Sequence, residues 1–577
     1  MIKRYLPFLE WLPNYQKNSF KGDLAAGITV GILLIPQGMA YALIAGLPPV
    51  YGLYAALMPQ LVYAFLGTSR QLAVGPVALD SLLVASGLGA LSLQSPEEYI
   101  LLAIALSLMV GLLQIAMGFL RLGFVVAFLS KPVISGFTSA AAIIIGFSQL
   151  KHLLGIAIPQ SNRIHEVVFS TVDALDQLNT FSLMVGLGAL GALYIFKKII
   201  PKVPGVILIV VIGIFGSKFL NWEAKGITLV GNIPQGLPHF QMPQVGLEHL
   251  TELFPFALTL ALVAFMEAIS LGKAFQDKHN DYEINPNQEL IALGAGNVVG
   301  SFFQSYPTTG GFSRTAVNDQ AGAKSGIALV ISALVVGLIL LFLTPWFYYL
   351  PQTILAAIII KAVVRLIDLA YAKKLMHNHL EEFFILSFTF LATLFLGIKE
   401  GILLGVLFSL LHLVYRTSKP HFAILGKVKN TPYYRNVERF PDLVDVRKEL
   451  LILRFDGQLY FGNIHYFKNL VLEETEKRNP ALKAFVLNAE AIHYIDATAA
   501  DQLIGLFETL QQRGIRILIA GAIGPTRDRI FKSKLIDVIK PKNLFINTED
   551  AVLHFDGNKD KSPLKKNIRR QNNSTIE

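Results

Sequence analysis

Two charged side chains in apolar surroundings are the residues of this sequence best suited to chemistry. Arg314 stands in the run YPTTGGFSRTA, and Glu267 lies deep in LTLALVAFMEAISLGKAF. A charged group among apolar residues is costly to bury and normally faces a partner or a cavity. Arg314 could therefore hold an anion, or it could pair with a carboxylate and fix its helix. Glu267 could bind and release a proton, or it could form a structural salt bridge with Arg314.

Two short apolar segments, 73–91 and 311–323, have irregular stretches rich in Gly, Pro or Thr at their starts, namely AVGPVA and YPTTGGFSRTA. A helix that begins inside a membrane has backbone N–H groups without partners and a partial positive charge at that end. Two such ends that face each other would attract an anion. Gly75, Gly310 and Gly311 would let the anion approach the main chain, and Pro76 suits a first helical turn. The alternative is that both stretches are kinks that only ease helix packing.

The composition indicates that membrane helices position these residues. Of the 577 residues, 53% are hydrophobic and 16% are charged, and the mean hydropathy of +0.52 excludes a purely soluble protein. Half of the charged residues lie in residues 418–577, which are little more than a quarter of the chain. With no cysteine, disulfides and thiolate chemistry are excluded. The net charge of +10 fits basic cytoplasmic loops better than nucleic-acid binding.

Fourteen apolar segments predict a polytopic bundle with both termini in the cytoplasm. With the N-terminus inside, seventeen Lys and Arg residues fall on inner regions and five on outer loops. Fourteen divides into two halves of seven, which must cross the membrane in opposite senses, and the two broken segments are the third of each half. Paired broken helices of this kind indicate the binding site of a secondary transporter. The segments are 24–46, 49–67, 73–91, 99–120, 132–150, 181–196, 204–220, 252–275, 286–303, 311–323, 325–344, 350–368, 382–398 and 400–415.

Two long motifs resemble a known family. LIPQGMAYALIAGLPPVYGLYAALMPQLVYAFLGTSRQLAVGPVALDSLL at 34–83 and NVVGSFFQSYPTTGGFSRTAVNDQAGAKS at 297–325 are similar to the SulP family of sulfate permeases and solute-carrier anion transporters. We expect a bacterial-type member. The resemblance implies a seven-plus-seven inverted repeat with a core and a gate domain, an elevator-like movement and a homodimer. It also implies that the anion is held between the starts of the third and tenth helices.

Carried over by resemblance, the anion site comprises residues of three helices: Gln37, Tyr41, Val77, Ala78, Phe312, Ser313 and Arg314. Gln37 and Tyr41 share one helical face and could instead form helix–helix hydrogen bonds. A glutamate at position 267 resembles the proton-coupled branch, whereas sodium-dependent bicarbonate members have an aspartate in the corresponding region. Asp80 is an unfavourable neighbour for an anion, so we expect its side chain to face the opposite side or a polar partner.

The C-terminal region alternates strand-like and helix-like runs, which predicts an α/β domain with Gly514 as a helix C-cap. It resembles the STAS domain, which is similar to bacterial anti-sigma-factor antagonists. By that likeness Thr498, in IDATAAD, is a possible phosphorylation site, and the alternative is that Asp496 or Thr498 is only an N-cap. The predicted domains are a cytoplasmic N-terminal segment (1–23), a transport domain (24–417), a linker (418–434), the STAS domain (435–556) and a disordered basic tail (557–577).

The sequence as a whole predicts a proton-coupled symporter of sulfate, bicarbonate or a C4-dicarboxylate in the plasma (inner) membrane. We find no nucleophile–base pair, metal set or phosphate loop, so we expect no enzyme activity, no cofactor and no metal. The expected partners are the anion, the proton, the lipid bilayer, a second copy of the chain and a possible cytoplasmic partner of the STAS domain, without nucleic acid. Two alternatives stay open: an uncoupled exchanger or channel, and a membrane-anchored STAS signalling module.

Overall fold

The computed structural model describes residues 6–89, 91, 93, 95–124, 130–158, 163–199, 205–243 and 247–557. The chain forms two compact units, Met1–Ser409 and Leu410–Glu577. Apart from Gly557, the predicted basic tail lies outside the described residues, as do the first five residues of the predicted N-terminal segment.

The first unit is helical, and its only strands among the described residues are two short ones. The helices are α1 (Phe8–Trp11), α2 (Lys17–Ile44), α3 (Pro49–Ala55), α4 (Met58–Leu66), α5 (Ala78–Gly89), α6 (Pro96–Phe119), α7 (Lys131–Ser148), α8 (Leu150–Leu154), α9 (Ile164–Asp173), α10 (Thr180–Ile199), α11 (Gly205–Leu220), α12 (Leu247–His279), α13 (Pro286–Ser301), α14 (Phe312–Gln320), α15 (Ile327–Phe342), α16 (Thr344–Phe347), α17 (Gln352–Val363), α18 (Leu369–Asn378), α19 (Leu380–Leu396) and α20 (Ile398–Ser418). The strands are β1 (Val74–Gly75) and β2 (Thr309–Gly310). α20 continues into the second unit.

Each of the fourteen predicted apolar segments coincides with helical structure, although the second is divided between α3 and α4. Within the described residues, six helices are long and apolar enough to cross a membrane: Lys17–Ile44, Pro49–Leu66, Pro96–Phe119, Lys131–Leu154, His249–His279 and Glu400–Ser418. Four further apolar helices are shorter: Ala78–Gly89, Thr180–Phe196, Gly205–Leu220 and Ile327–Phe342. The two predicted broken segments become the short helices α5 and α14.

The helix pairs of the first unit repeat when its two halves are exchanged. α2 packs on α15, and its counterpart α12 packs on α6; likewise α4 packs on α15 and α13 on α6. A second group contains the pairs α7–α19 and α17–α10. This pairing is the arrangement expected of an inverted repeat with two helix groups.

The contact between α6 and α13 brings two backbones together. A Cβ atom on Gly111 would lie 2.6 Å from the carbonyl oxygen of Gly294, and a Cβ on Gly294 would lie 2.6 Å from that of Gly111. Small residues allow this approach, which is how helices pack where no hydrophobic difference between protein and lipid drives them together. α13 is thereby fixed beside the second irregular stretch.

The second unit is a mixed sheet with helices. Its strands are β3 (Phe422–Val428), β4 (Tyr434–Asn436), β5 (Val444–Asp445), β6 (Leu450–Phe455), β7 (Ala484–Asn488), β8 (Arg516–Ala520) and β9 (Leu544–Phe545), and its helices are α21 (Ile464–Glu476), α22 (Ala497–Gln512), α23 (Gly524–Lys532), α24 (Leu535–Ile539) and α25 (Thr548–Phe555). The order is β4-β3-β6-β7-β8-β9, with β5 also paired to β3. β6 to β9 are parallel, and β3 is antiparallel to β6.

The predicted linker 418–434 is wrong in its extent because it contains β3. Ile424 pairs with Leu453 of β6, so the sheet begins at Phe422 rather than after residue 434. Polar residues such as Lys427 and Lys429 make this stretch look like a linker. Ala423 and Leu425 are nevertheless buried in the apolar layer on one face of the sheet.

Side-chain caps and ion pairs fix the helices of this unit. Gly514 has a φ of +78°, and its N–H donates to the carbonyl oxygen of Gln511, so its predicted role in ending a helix is confirmed. Asp496 caps the start of α22 by accepting from the Ala499 N–H at 2.7 Å, and Thr498 is exposed in the first turn. At α25, the Glu549 carboxylate accepts from Lys427 Nζ, which lies on β3, at 2.6 Å.

Candidate anion-binding site

The two short strands of the first unit, β1 and β2, meet at the point where the short helices α5 and α14 begin, and we call this point the crossing. β1 and β2 are antiparallel, with Val74 opposite Gly310 and Gly75 opposite Thr309. The N–H of Gly311 also donates to the carbonyl oxygen of Ala73 at 3.0 Å. α5 and α14 follow these strands within three residues, so their N-terminal ends lie on the same crossing and the chain leaves it in opposite directions. Both ends contribute partial positive charge at one place.

Polar side chains of neighbouring helices hold the irregular backbone. Asn297 of α13 accepts hydrogen bonds from the N–H and the hydroxyl of Thr308 at 2.8 and 3.0 Å. Thr309 donates to the carbonyl oxygen of Ala264 in α12 at 2.6 Å. On the other stretch, the N–H of Ala73 donates to the hydroxyl of Thr315 at 3.0 Å. Backbone groups at membrane depth need such partners, and the sequence analysis did not single these side chains out. The sequence feature that could have identified these side chains is an Asn or Thr within an apolar run.

Arg314 lies at the crossing and is 1% exposed. Its Nη1 donates to the carbonyl oxygen of Pro76 at 2.6 Å, which joins α14 to the start of α5. Its Nε and Nη2 have no hydrogen-bond partner. A Cβ atom on Gly311 would lie 2.7 Å from Cζ of Arg314, so the absence of a side chain at Gly311 makes room for the guanidinium. The site therefore offers a full positive charge and free N–H donors, which suit a carboxylate or an oxyanion.

Glu267 of α12 and Tyr41 of α2 lie within electrostatic reach of Arg314. Oε2 of Glu267 is buried and accepts no hydrogen bond. In the described part of the chain, no ion pair within 4.0 Å joins Glu267 to Arg314. The structure therefore contains an electrostatic interaction between these two groups rather than a closed salt bridge.

Asp80 departs from expectation. Its side chain is completely buried in the first turn of α5, and neither carboxyl oxygen has a hydrogen-bond partner. α5 packs against α12, and Asp80 lies within electrostatic reach of Glu267 on that helix. The expectation of a polar partner or an opposite-facing side chain is wrong, because α5 turns Asp80 toward the same buried region as Glu267.

The remaining predicted residues take different positions. Gln37 is buried one turn before Tyr41, and its Oε1 accepts no hydrogen bond. Ala78 is buried, while Val77 and Ser313 are half-buried. Phe312 is 64% exposed. The structure thus brings Gly75, Pro76, Gly311 and Arg314 directly together, and it leaves the ring of Phe312 outside the buried part of the crossing.

Comparison with known proteins identifies both regions. The chain matches the sulfate permease family over residues 20–389 and the STAS domain over residues 443–551. It is 38% identical over 569 residues to probable sulfate transporter 4.2 of Arabidopsis thaliana, covering 96% of this chain and 83% of that protein. It is also 38% identical to the chloroplastic sulfate transporter 4.1 of that plant, covering 96% and 82%. These relatives are plant proteins and do not support the expectation of a bacterial-type member.

A solved structure supports the fold. The murine solute carrier 26 family member A9 anion transporter in the inward-facing state superposes with a TM-score of 0.90 at 28% identity, covering 96% of this chain and 95% of that one. The predicted fold class, a polytopic helical transporter with a C-terminal α/β STAS domain, is confirmed.

Proposed function

The chain belongs to the sulfate permease family, and on that premise we propose that it is a proton-coupled sulfate symporter. It is a multi-pass membrane protein and an anion transporter, not an enzyme. Sulfate is the substrate that the two plant relatives are named for. Bicarbonate and C4-dicarboxylates are also anions, so competition between substrates has to distinguish them from sulfate.

One observation carries the proposal: a buried guanidinium with two unpartnered nitrogens lies where two helices begin. In a low-dielectric site, a guanidinium without a carboxylate partner is unfavourable, and an anion would relieve this cost. Sulfate oxygens could accept from Nε and Nη2 of Arg314 and from backbone N–H groups at the starts of α5 and α14. Because Gly75 and Gly311 have no side chain, the guanidinium lies close to the main chain at both, and an anion bound to it would also reach backbone N–H groups.

The coupling ion would be a proton carried by Glu267. An anion placed beside Arg314 cancels the positive charge that favours an ionised Glu267, so protonation and anion binding support each other. Release of the anion restores the positive charge and favours release of the proton. This reciprocity is thermodynamic linkage between two ligands of one site.

The movement would be elevator-like, with the crossing carried by one group of helices against the other. β1, β2 and Arg314 join the two half-helices to each other, and α12 and α13 hold the same crossing through Ala264 and Asn297. The group of α7, α10, α17 and α19 would then serve as the gate. The anion, the crossing and the coupling carboxyl would move as one body.

Uptake of labelled sulfate into proteoliposomes tests the proposal. We expect an inward proton gradient to stimulate uptake and Arg314→Gln to abolish sulfate binding while the melting temperature of the purified protein changes little. Excess unlabelled bicarbonate and fumarate identify the anion class by competition. Uptake that ignores the proton gradient would indicate an uncoupled exchanger or channel. Unchanged binding by the Arg314 variant would remove this site from the mechanism.

The STAS domain would support dimerisation and regulation, with both termini in the cytoplasm and the protein in the plasma membrane. Thr498 is exposed in the first turn of α22, where a phosphate would meet free N–H donors. The neighbouring Asp496 carboxylate already caps this end and would repel that phosphate. Deletion of residues 422–577, which begins at β3, separates this role from a signalling module: transport that survives the deletion would assign the transport activity to the helices.

A further inference from the structure

Asp80 is a buried carboxyl that the proposed mechanism does not use. Two other buried carboxylates show how this fold accommodates such groups. Asp23 accepts from the hydroxyl of Tyr15 at 2.7 Å and from the N–H of Lys324 at 2.6 Å. Glu289 accepts from the hydroxyl of Tyr63 at 2.7 Å and from the N–H and hydroxyl of Thr68 at 2.6 Å. Asp80 is equally buried and accepts nothing. An ionised carboxylate without donors is very costly to bury, so Asp80 needs a proton or a nearby cation.

The groups that face Asp80 come from the anion site. α12 contributes Glu267, and the stretch before β2 contributes Tyr306, whose hydroxyl lies 3.1 Å from that of Ser81. Arg314 interacts with both Glu267 and Tyr306, and α2 adds Tyr41 beside them. The other helices packed against α5 are α6 and α7. Their titratable residues lie at the first turns, away from the middle of the bundle: Glu97, Glu98, Tyr99 and Lys131.

The region therefore holds two carboxyls and one cation, and charge decides how many protons it carries. Two carboxylates in one apolar region cannot both ionise easily. A single ionised carboxylate balances Arg314, so the empty site is neutral when the two carboxyls share one proton. An anion beside Arg314 removes that balance and makes a second proton favourable.

Resting on the proposed function, we propose that Asp80 and Glu267 form one proton-binding pair, which holds one proton when the site is empty and two when the anion is bound. The second proton comes from water on the side where the anion enters and leaves with the anion on the other side. Either carboxyl can supply this proton because Asp80 and Glu267 interact with each other and the negative charge of the anion opposes ionisation of both. Glu267 alone is then not indispensable for coupling.

Proton uptake on sulfate binding tests the pair directly. Purified full-length protein in weakly buffered detergent solution is mixed with sulfate, and a pH indicator reports the protons taken up. We expect about one proton per sulfate in the wild type, in Asp80→Asn and in Glu267→Gln, and none in the double variant. In each protein that takes up a proton, sulfate affinity should fall by up to about tenfold for every unit by which the pH is raised. In the double variant, sulfate affinity should not change with pH. Glu289→Gln, at a hydrogen-bonded buried carboxyl, is the control and should retain uptake.

The outcomes separate this inference from the proposed function. Loss of uptake in Glu267→Gln alone, with sulfate still bound, would overturn the pair and leave Glu267 as the single coupling residue. No uptake in the wild type would remove proton coupling itself, and the pair with it. Uptake that persists in the double variant would exclude both carboxyls.

A second measurement needs no substitution. The infrared difference spectrum between sulfate-bound and empty wild-type protein reports changes in protonated carboxyls, and carbon-13 labelling of aspartate carboxyls identifies those that belong to aspartate. We expect a protonated-carboxyl band that shifts with the aspartate label. A spectrum in which only unlabelled glutamate bands change would overturn the role of Asp80.

Discussion

Replacing Gly311 by alanine should weaken sulfate binding through a single added methyl group. The new Cβ would lie 2.7 Å from both Cζ and Nη2 of Arg314. Non-bonded carbon atoms settle at about 3.5–4.0 Å, so the guanidinium must retreat by roughly 1 Å. The 2.6 Å hydrogen bond from Nη1 to the carbonyl oxygen of Pro76 would then exceed the usual hydrogen-bond range.

The cost follows from the charge on the donor. A hydrogen bond that involves a charged group contributes about 1.5–3 kcal/mol, which corresponds to about a 10- to 140-fold change in affinity if the anion needs Arg314 in its present position. The backbone adds nothing to this cost, because Gly311 has a φ of −100°, which alanine adopts without strain. Isothermal titration of purified protein with sulfate measures the loss.

Gly89→Ala is the matched control, since this glycine ends the other half-helix and a Cβ there would meet nothing within 4 Å. We expect its sulfate affinity to equal that of the wild type. Sulfate affinity of Gly311→Ala within twofold of the wild type would refute the assignment of Arg314 to the anion, because the substitution cannot leave the guanidinium where it is.

Three further outcomes are expected. Asn297→Leu leaves the N–H and hydroxyl of Thr308 without their acceptor, so it should destabilise the protein by about 2–5 kcal/mol, visible as a lower melting temperature in detergent. Gly111→Ala places a Cβ 2.6 Å from a backbone oxygen of α13, so α6 and α13 should separate and the melting temperature should fall, whereas an unchanged value would contradict the close backbone contact. In the STAS domain, burial opposes ionisation of Glu549, but hydrogen bonds from Lys427 and Tyr434, together with the charge of Lys427, outweigh burial and hold the pKa of Glu549 below its usual value. The resulting stability is present above pH of about 4.3 and is lost as the pH falls through the lowered pKa. The protection factors of the β3 amides, which are corrected for the intrinsic pH dependence of exchange, should therefore fall there in the wild type and stay constant in Glu549→Gln.

Much of the fold was predictable because apolar length and repeat position carry strong signals. The fourteen segments and the irregular runs before Ala78 and Phe312 all follow from hydropathy and from the placement of Gly and Pro. α9 and α18 were missed, since their apolar and polar residues alternate over only ten residues each. β3 was missed because Lys427 and Lys429 interrupt a stretch whose alternate residues are buried.

The candidate site was predictable in its charges and not in its contacts. A lone arginine in an apolar run indicates a buried cation whatever it touches, so Arg314 stands out in the sequence. Its bond to Pro76 joins residues 238 positions apart, and no local pattern reports such a distance. For the same reason, the direction of Asp80 could not be derived: it depends on how α5 is rotated against α12, which the packing of whole helices decides.

The antiparallel pairing of β1 with β2 has a consequence for how the protein is made. Val74 leaves the ribosome more than two hundred residues before Gly310, its backbone partner. Until Gly310 has been synthesised, the strand before the first half-helix has no partner, and unpaired backbone N–H and C=O groups are poorly tolerated in lipid. The early segment is therefore expected to wait at the insertion machinery or at the lipid–water boundary, and the nascent chain should resist protease at this segment only after the tenth segment has emerged.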